Sequence, residues 1–285
     1  MQQRRIGDLT VSAIGLGAMP LSTKTDRPSR EDAVATVHAA LDAGVTLVDT
    51  ADAYARDESE FGHNEELVAE ALASYGPGAG DVLVATKGGH TRRGTDWELD
   101  GSPGYLRQAC EASLRRLGVD TIGLYQFHRP DPRTPWEDSM GALRQLVDDG
   151  LVRYAGISNA DVAQIDVARS IVGPALVSVQ NQFSPGWRHS AGELAHCAGH
   201  GLAFLPWSPF GGVSAAGSLG SAAPAFAEVA DELGVSVYRV TLAWHLAQAD
   251  VVVPIPGASR AASIQDSTAA ADLELTAEQR SRLDG

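Results

Sequence analysis

Short apolar runs alternate with amphipathic segments along almost the whole chain. The apolar runs are rich in Val, Ile and Leu, as is typical of strands covered on both faces. They are SAIGLG, VTLVDT, VLVATK, IGLYQFH, VRYAGIS, LVSVQNQ, LAFLPWS and VVVPIPG. The segments with helical periodicity cover residues 30–43, 64–75, 103–117, 136–149, 161–170, 190–200, 236–248 and 259–270. This order predicts an α/β fold, namely a (β/α)8 TIM barrel.

Both ends of the chain depart from the alternating pattern. The opening RRIGDLTVSAIG predicts an N-terminal β-hairpin with Gly7-Asp8 at its turn. The end LELTAEQRSRLDG predicts a short C-terminal helix that starts after Thr276, with Glu278 nearby. No linker rich in Pro, Gly or Ser divides the chain, so we expect residues 1–285 to form a single domain.

Two connections are longer than the others. GGHTRRGTDWELDGSP follows the third predicted strand, and FGGVSAAGSLGSAAP follows the seventh. Connections after the strands of a barrel open at its C-terminal face, where barrel enzymes have their active sites. We therefore expect both to border a functional site.

The composition excludes several classes of partner. A formal net charge of −14 over 285 residues argues against a nucleic-acid or anionic membrane surface. No apolar run is long enough for a signal peptide or a membrane span, and a cytoplasmic location is the simplest expectation. Cys110 and Cys197 each lie on the apolar face of a predicted helix, which indicates core thiols and no disulfide framework. The sequence does not indicate an oligomeric state.

Polar side chains end three consecutive predicted strands. Asp49, Lys87 and His128 end the second, third and fourth strands, and Tyr54 follows Asp49 in the next loop. Because parallel strands end at one rim of a barrel, these four side chains can converge. Taken singly, each is more often a cap, a packing residue or a solvated charge. A barrel hydrolase that uses carboxylates such as Asp49 and Asp52 is an alternative at this point.

The chain resembles the aldo-keto reductases. The resemblance rests on IGLGAMP, VDTADAYA, GHNEELVAEAL, VLVATKGG, LGVDTIGLYQFHRPD, LVRYAGISN, VSVQNQFS, PWSPFGG and VVVPIPGASR, in this order. It implies reduction of an aldehyde or ketone by a catalytic tetrad of Asp49, Tyr54, Lys87 and His128. Tyr54 would donate the proton, and Lys87 would lower the pKa of Tyr54. Asp49 would orient Lys87, and His128 would orient the carbonyl oxygen.

The same resemblance implies NADPH as the cofactor. Neither a G-x-G-x-x-G nor a Walker motif is present. Matching positions imply that Ser158, Asn159 and Gln180 hold the carboxamide, that Trp207 stacks on the nicotinamide, and that Arg260 binds the 2′-phosphate. Further implied contacts are Gly17, Ala18, Met19, Ser208, Pro209, Phe210, Gly211, Ile255, Gly257, Ser259, Gln265 and Asp266.

Parts of the implied cofactor site leave alternatives open. Asp266-Ser267 replaces the Glu-Asn pair that often grips the adenine in the family, so that contact is expected to be looser. The loop through residues 211–220 either folds over the pyrophosphate or is a plain connector. Ser259 with an exposed Arg260 is also compatible with an ordinary helix N-cap.

Three further features of the sequence have more than one interpretation. His189, His196 and His200 would share one helical face, as in a zinc site, but a solvated face is the preferred reading and no metal is predicted. Trp97 either lines the substrate pocket or anchors its loop. A redox-sensing protein that binds NADPH with little turnover is the second functional hypothesis. Small aromatic or sugar-derived aldehydes and pyridoxal-like carbonyls all remain open as the small-molecule substrate.

Overall fold

The computed structural model describes residues 1–212 and 215–285. The strands are β1 Gln3–Ile6, β2 Leu9–Ser12, β3 Leu16–Gly17, β4 Leu47–Asp49, β5 Leu83–Gly88, β6 His90–Arg93, β7 Asp96–Leu99, β8 Ile122–Phe127, β9 Val152–Ser158, β10 Leu176–Gln180 and β11 Ala203–Phe204. The helices are α1 Arg30–Asp42, α2 His63–Tyr75, α3 Pro103–Leu117, α4 Trp136–Asp148, α5 Val162–Val172, α6 Ala191–His200, α7 Leu219–Ala222, α8 Pro224–Leu233, α9 Val237–Gln248, α10 Ala261–Thr268 and α11 Ala277–Asp284.

A parallel sheet curls into a barrel. Its strand order is β3-β4-β5-β8-β9-β10-β11. Residues 251–257 close it: the N–H groups of Gly15 and Gly17 donate to Pro254 and Pro256 on one side, each at 2.9 Å, and Val253 donates to Phe204 on the other at 2.9 Å. The predicted (β/α)8 TIM barrel is therefore confirmed.

The eighth segment of the barrel differs from the prediction in one respect. VVVPIPG was expected to be a regular strand, but it forms only isolated bridges, Phe204 with Val252 and Gly17 with Gly257. Pro254 and Pro256 have no N–H group, so this segment cannot form a continuous ladder. It closes the barrel chiefly by accepting hydrogen bonds.

The predicted N-terminal hairpin covers the bottom of the barrel. Strands β1 and β2 pair antiparallel around a turn in which Gly7 has a φ of +61°. Ile6 and Val11 are buried in the same apolar cluster as Leu47 and other residues from the barrel strands. A Cβ atom at Gly7 would lie 2.9 Å from Cγ1 of Val177, so the turn packs closely against the barrel.

Several of the helices begin where the sequence provides a side-chain cap, namely α1, α3, α5, α9 and α11. The side chain of Ser29 accepts a hydrogen bond from the N–H of Asp32 at the start of α1. Asp161 and Gln164 form a reciprocal capping box at the start of α5. The predicted C-terminal helix α11 has the same device, with Thr276 paired to Gln279 in place of the expected Glu278.

The two long connections contain structure that the sequence reading did not anticipate. The connection after the third barrel strand forms the antiparallel hairpin β6–β7, and the connection after the seventh contains α7 and α8 ahead of α9. Val213 and Ser214 belong to the loop for which a pyrophosphate cover and a plain connector were both left open, and they lie outside the described residues. In the described part of the chain, no helix is both long and apolar enough to cross a membrane. The single domain over residues 1–285 stays a prediction.

Candidate active site

Lys87 lies at the centre of a buried polar cluster at the C-terminal end of the barrel. Its ammonium group donates to Oδ1 of Asp49 at 2.6 Å, to the hydroxyl oxygen of Tyr54 at 2.9 Å and to the backbone oxygen of Thr50 at 2.9 Å. Lys87 is fully buried, and Asp49 and Tyr54 are 2% and 7% exposed. The three donors of the ammonium group are therefore satisfied, and the ammonium group itself is shielded from water.

The ion pair decides the protonation of this cluster. Burial acts to lower the pKa of Lys87, but Asp49 and Tyr54 outweigh it and the pKa is raised above its usual value. Burial raises the pKa of Tyr54, whereas Lys87 acts to lower it. The net pKa of Tyr54 is raised, so the expected lowering by Lys87 is present but is smaller than the effect of burial.

The second carboxylate oxygen of Asp49 is held by two glutamines. Oδ2 accepts from Nε2 of Gln180 at 2.8 Å and from Nε2 of Gln126 at 3.2 Å. Gln126 was not among the predicted site residues. It lies two positions before His128, on the same face of β8, and this period-two spacing is the signal that could have found it.

His128 faces the same cluster from the end of β8. Its ring lies 5.6 Å from that of Tyr54 and 4.4 Å from that of His90, measured between centroids. Burial, Lys87 and His90 hold the pKa of His128 well below its usual value, so the ring is neutral at physiological pH. Its Nδ1 atom is buried without a hydrogen-bond partner among the described residues.

His90 is a further site residue that the sequence reading did not single out. Its Nδ1 atom lies 3.1 Å from the backbone oxygen of Glu98, so Nδ1–H donates and Nε2 keeps its lone pair. Burial lowers the pKa of His90 to about 4. The two histidines therefore add two neutral imidazoles beside Tyr54.

A cavity of about 540 Å³ opens above these groups. Its lining includes most of the predicted site residues, namely Gly17, Met19, Asp49, Tyr54, His128, Ser158, Asn159, Gln180, Trp207, Ser208, Pro209, Phe210, Ile255, Gly257 and Ser259. It also includes Pro20, Lys24, His90, Trp97, Arg129, Gly212, Ala216, Ala258 and Ser263. The predicted residues that do not line it are Ala18, Lys87, Gly211, Arg260, Gln265 and Asp266.

Trp97 combines the two roles that the sequence left open. It lines the cavity, and its ring lies 6.5 Å from the ring of Tyr54 in an edge-on arrangement. The guanidinium of Arg92 stacks over the Trp97 ring at 4.1 Å, and it also donates to the backbone oxygen of Ala55 at 3.1 Å, which ties the β6–β7 hairpin to the loop after β4.

Strained backbone occurs on the wall where a nicotinamide was expected. Asn159 and Ser208 have φ angles of +60° and +51°, and both line the cavity. Such conformations in residues other than glycine cluster at functional sites. Oδ1 of Asn159 and Oε1 of Gln180 accept no hydrogen bond from the residues described, so both can accept from a carboxamide. Nε1 of Trp207 is likewise buried without a partner there.

The opposite wall fits a phosphate. Helix α10 begins directly after Arg260, and that arginine, not Ser259, occupies the N-cap position without a side-chain cap. The amides of Ala261 and Ala262 are left without acceptors in the described part of the chain. Free amides at a helix start and an exposed arginine are suited to bind an anion.

Asp266 joins helix α10 to helix α9. Its carboxylate accepts from Arg239 of helix α9 at 2.7 Å and from the hydroxyl of Ser236, the N-cap residue of that helix. The side chain is therefore committed to holding α9 against α10 and does not face the cavity. The adenine contact expected from Asp266 stays a prediction.

Comparison with known proteins identifies the family. The sequence profile described as Aldo/keto reductase family matches residues 13–285. The chain belongs to this family. The resemblance stated from the sequence is thereby confirmed, and the aldo-keto reductase described here is an oxidoreductase by membership.

Individual relatives span this aldo-keto reductase almost completely. An uncharacterized oxidoreductase of Schizosaccharomyces pombe is 34% identical over 98% of this chain and 88% of its own length. The glycerol dehydrogenase of Gluconobacter oxydans has a TM-score of 0.84 at 29% identity, covering 99% of this chain and 94% of that one. An aldo/keto reductase from Klebsiella pneumoniae, solved with NADP and acetate, has a TM-score of 0.81 at 26% identity, with the same coverages.

The alternatives raised from the sequence find no support in the geometry of this aldo-keto reductase. Asp52 is fully buried and does not line the cavity, so Asp49 and Asp52 do not face a common substrate. His196 pairs with Asp166 at 2.9 Å, whereas His189 packs against Trp187. Among the described residues no group of three or more His, Cys, Asp or Glu is arranged to hold a metal.

The two cysteines of the aldo-keto reductase are core residues, as expected. Both are free and buried. Burial raises the pKa of each thiol, Cys110 and Cys197, to about 12, so neither is a reactive thiolate at neutral pH.

Proposed function

We propose that this aldo-keto reductase reduces an aldehyde or ketone to an alcohol with NADPH, and that Tyr54 donates the proton. The observation that carries the proposal is the three-way contact of Lys87 with Asp49 and Tyr54 beneath the cavity. A lysine ammonium in hydrogen-bond contact with a tyrosine hydroxyl stabilises the phenolate that proton donation leaves behind.

The hydrogen-bond directions in the cluster suit a proton donor. Lys87 donates to the hydroxyl oxygen of Tyr54, so the Tyr54 O–H itself points to another acceptor. Because the pKa of Tyr54 is raised, the group carries its proton at neutral pH. The neutral ring of His128 has one N–H group and would donate it to the carbonyl oxygen, fixing the substrate beside Tyr54.

The free polar groups of the cavity support a nicotinamide dinucleotide as the cofactor. NADPH, when bound, supplies the hydride. Asn159 and Gln180 would accept from the carboxamide, and Trp207 would offer a flat face to the ring. Arg260 and the free amides of α10 would bind the 2′-phosphate, which favours NADPH over NADH. The Klebsiella pneumoniae relative, solved with NADP, supports this choice.

The test is oxidation of NADPH and NADH by the purified protein across a panel of aldehydes and ketones, with Tyr54→Phe beside it. We expect faster turnover with NADPH and a loss of at least about 100-fold in kcat for Tyr54→Phe. NADPH binding, followed by quenching of tryptophan fluorescence, should stay nearly unchanged. Tyr75→Phe is the matched control, because the Tyr75 hydroxyl bonds Asp42 at the surface.

The other hypotheses predict different results. A redox-sensing protein would bind NADPH tightly and consume none with any carbonyl compound. A barrel hydrolase would bind no nicotinamide nucleotide and would keep its activity in Tyr54→Phe. Turnover that survives Tyr54→Phe would refute the proposed proton donor. A cytoplasmic location and the absence of nucleic-acid partners stay predictions from the sequence.

A further inference from the structure

We infer that the carbonyl substrate carries an anionic group, a carboxylate or a phosphate, and that Arg129 binds it. This inference deepens the proposed function and rests on it for the catalytic step. It is carried by the position of Arg129 in the cavity and by the lack of a partner for its guanidinium among the described residues.

Arg129 lies on the substrate side of the cavity. It directly follows His128 at the end of β8 and lines the cavity together with Tyr54, His90 and Trp97. It also borders a smaller cavity of about 370 Å³, which shares Asn159 and Trp207 with the first. A group bound to Arg129 within the first cavity would therefore lie beside the expected position of the carbonyl, whereas the smaller cavity is also lined by Asp161 and Glu193 and does not favour an anion.

The carboxylate nearest to Arg129 in sequence is already occupied. Oδ1 of Asp131 accepts from the backbone and side chain of Arg133, each at 3.0 Å, and Oδ2 accepts from the N–H of Gly101 at 3.0 Å. Asp131 is only 5% exposed, so it cannot turn towards the cavity without losing these contacts. Within residues 1–212 and 215–285, the Arg129 guanidinium makes no ion pair or hydrogen bond.

Most other arginines are paired with a carboxylate, whereas Arg129 is among those without such a partner in the described residues. Those with such a partner are Arg27, Arg30, Arg56, Arg93, Arg107, Arg116, Arg133, Arg144, Arg153, Arg169, Arg239 and Arg282. With a net charge of −14, the chain has abundant carboxylates. A cation in the cavity without one is therefore available to a ligand.

The topology separates Arg129 from the expected phosphates of the cofactor. Counting from β3, β8 is the fourth strand of the barrel, and the segment before Arg260 is the eighth. These positions lie on opposite sides of an eight-membered barrel. Lys24 also lines the cavity and has no partner in the part of the chain that the structure describes; it follows β3 and so lies next to the eighth segment, on the phosphate side. Arg129 is thus the cation that faces the substrate.

The chemistry of the cavity selects an anion in particular. Apart from Asp49, which is neutralised by Lys87, no carboxylate of the described residues lines it. The field of a strongly acidic chain repels anions at long range, so an anionic substrate needs a local cation. A guanidinium binds carboxylate and phosphate through paired hydrogen bonds and rejects neutral isosteres of the same shape.

Binding of non-reducible probes tests the inference without turnover. Benzoate, phenyl phosphate and benzamide would be titrated calorimetrically into the native protein and into Arg129→Gln, each with and without saturating NADP+. We expect benzoate or phenyl phosphate to bind the native protein, and we expect Arg129→Gln to weaken that binding about tenfold while leaving the affinity for benzamide unchanged. The preference between benzoate and phenyl phosphate would identify carboxylate or phosphate as the group.

Two further variants make the result specific. Arg129→Lys should restore part of the affinity, because a positive charge is retained without the planar fork. Arg93→Gln removes one positive charge from the exposed β6–β7 hairpin, where Arg93 is 78% exposed and pairs with Glu98, and it should leave anion binding unchanged. The inference would be overturned if Arg93→Gln weakened anion binding as much as Arg129→Gln does, or if Arg129→Gln weakened benzamide binding equally. It would also be overturned if the native protein bound neither anion.

Turnover separates this inference from the proposed function. With 4-carboxybenzaldehyde and methyl 4-formylbenzoate, Arg129→Gln should raise KM about tenfold for the acid only, with kcat nearly unchanged. Equal changes for both aldehydes would overturn the inference while the reductase activity stands. If the native protein reduced no carbonyl compound yet bound benzoate through Arg129, the proposed function would fail and the anion site would remain.

Discussion

Asp49 and Asp52 lie three residues apart at the end of β4, and both are buried, yet their surroundings are opposite. The oxygens of Asp49 accept from Lys87, Gln126 and Gln180. Neither oxygen of Asp52 accepts a hydrogen bond from the part of the chain that the structure describes. Burial, with Glu65 adding to it, raises the pKa of Asp52 well above its usual value.

The contrast shows that burial alone does not mark a carboxylate as functional. What matters is the partner: Asp49 is held in one geometry by a cation that also touches Tyr54, and it lines the cavity. Asp52 faces away from the cavity and is favoured in its neutral form. The same sequence segment thus supplies one carboxylate for the site and one buried acid behind it.

The largest effect is expected when the paired carboxylate is neutralised. Asp49→Asn keeps the shape of the side chain but leaves the buried ammonium of Lys87 without its counter-charge. Removing one partner of a buried ion pair costs roughly 3–5 kcal/mol of unfolding free energy. We also expect loss of most turnover, because Lys87 is no longer fixed beside Tyr54. Urea unfolding at pH 7 and NADPH oxidation measure the two effects.

The matched control for Asp49→Asn is the same substitution at position 52. If Asp49→Asn lowered the unfolding free energy and the turnover no more than Asp52→Asn does, the ion pair would contribute nothing beyond the shape of the side chain.

A smaller effect of opposite sign is expected at Asp52. The raised pKa means that the folded protein holds the Asp52 proton more tightly than the unfolded chain does, and this adds to the unfolding free energy. The contribution is fully present below the ordinary Asp pKa, about 3.9, and is lost as the pH rises through the raised pKa. Asp52→Asn cannot ionise. The unfolding free energy of Asp52→Asn relative to that of the native protein should therefore increase as the pH rises above about 4.

Urea unfolding of Asp52→Asn and the native protein at pH values between 4 and 8 measures this difference. A difference that does not change with pH would mean that Asp52 titrates alike in the folded and unfolded states.

The sequence could identify Asp49 but not the state of Asp52, for a physical reason. Asp49, Lys87 and His128 each end a strand, and parallel strands must deliver their ends to one rim. The neighbours of Asp52 come from elsewhere: Glu65 belongs to α2 and Arg116 to α3. Periodicity predicts that such helices exist but not which of their side chains face inward at a given depth.

The difference between sequence periodicity and tertiary packing also explains where the predicted fold differs from the structure. The barrel followed from repeated apolar runs, whereas VVVPIPG lacked two N–H groups and could not complete its ladder. Helix α8 was overlooked although Pro224 at its start and Gly234 after its end are helix signals. Small residues before it hid the pattern. The pairing of Asp266 with Arg239 depends on how α9 packs against α10, which the sequence pattern does not show.

The smallest effect is expected for a pair of carboxylate and cation that is exposed to solvent on the protein surface. Arg144 and Asp148 pair at 2.8 Å on α4, with each side chain 45% exposed. Solvent already screens this pair, so Asp148→Asn should cost no more than about 0.5 kcal/mol, and less at 1 M salt. Urea unfolding at low and high salt measures it. A loss approaching that of Asp49→Asn would mean that pairing itself, and not the burial of Lys87, sets the energy at the active site.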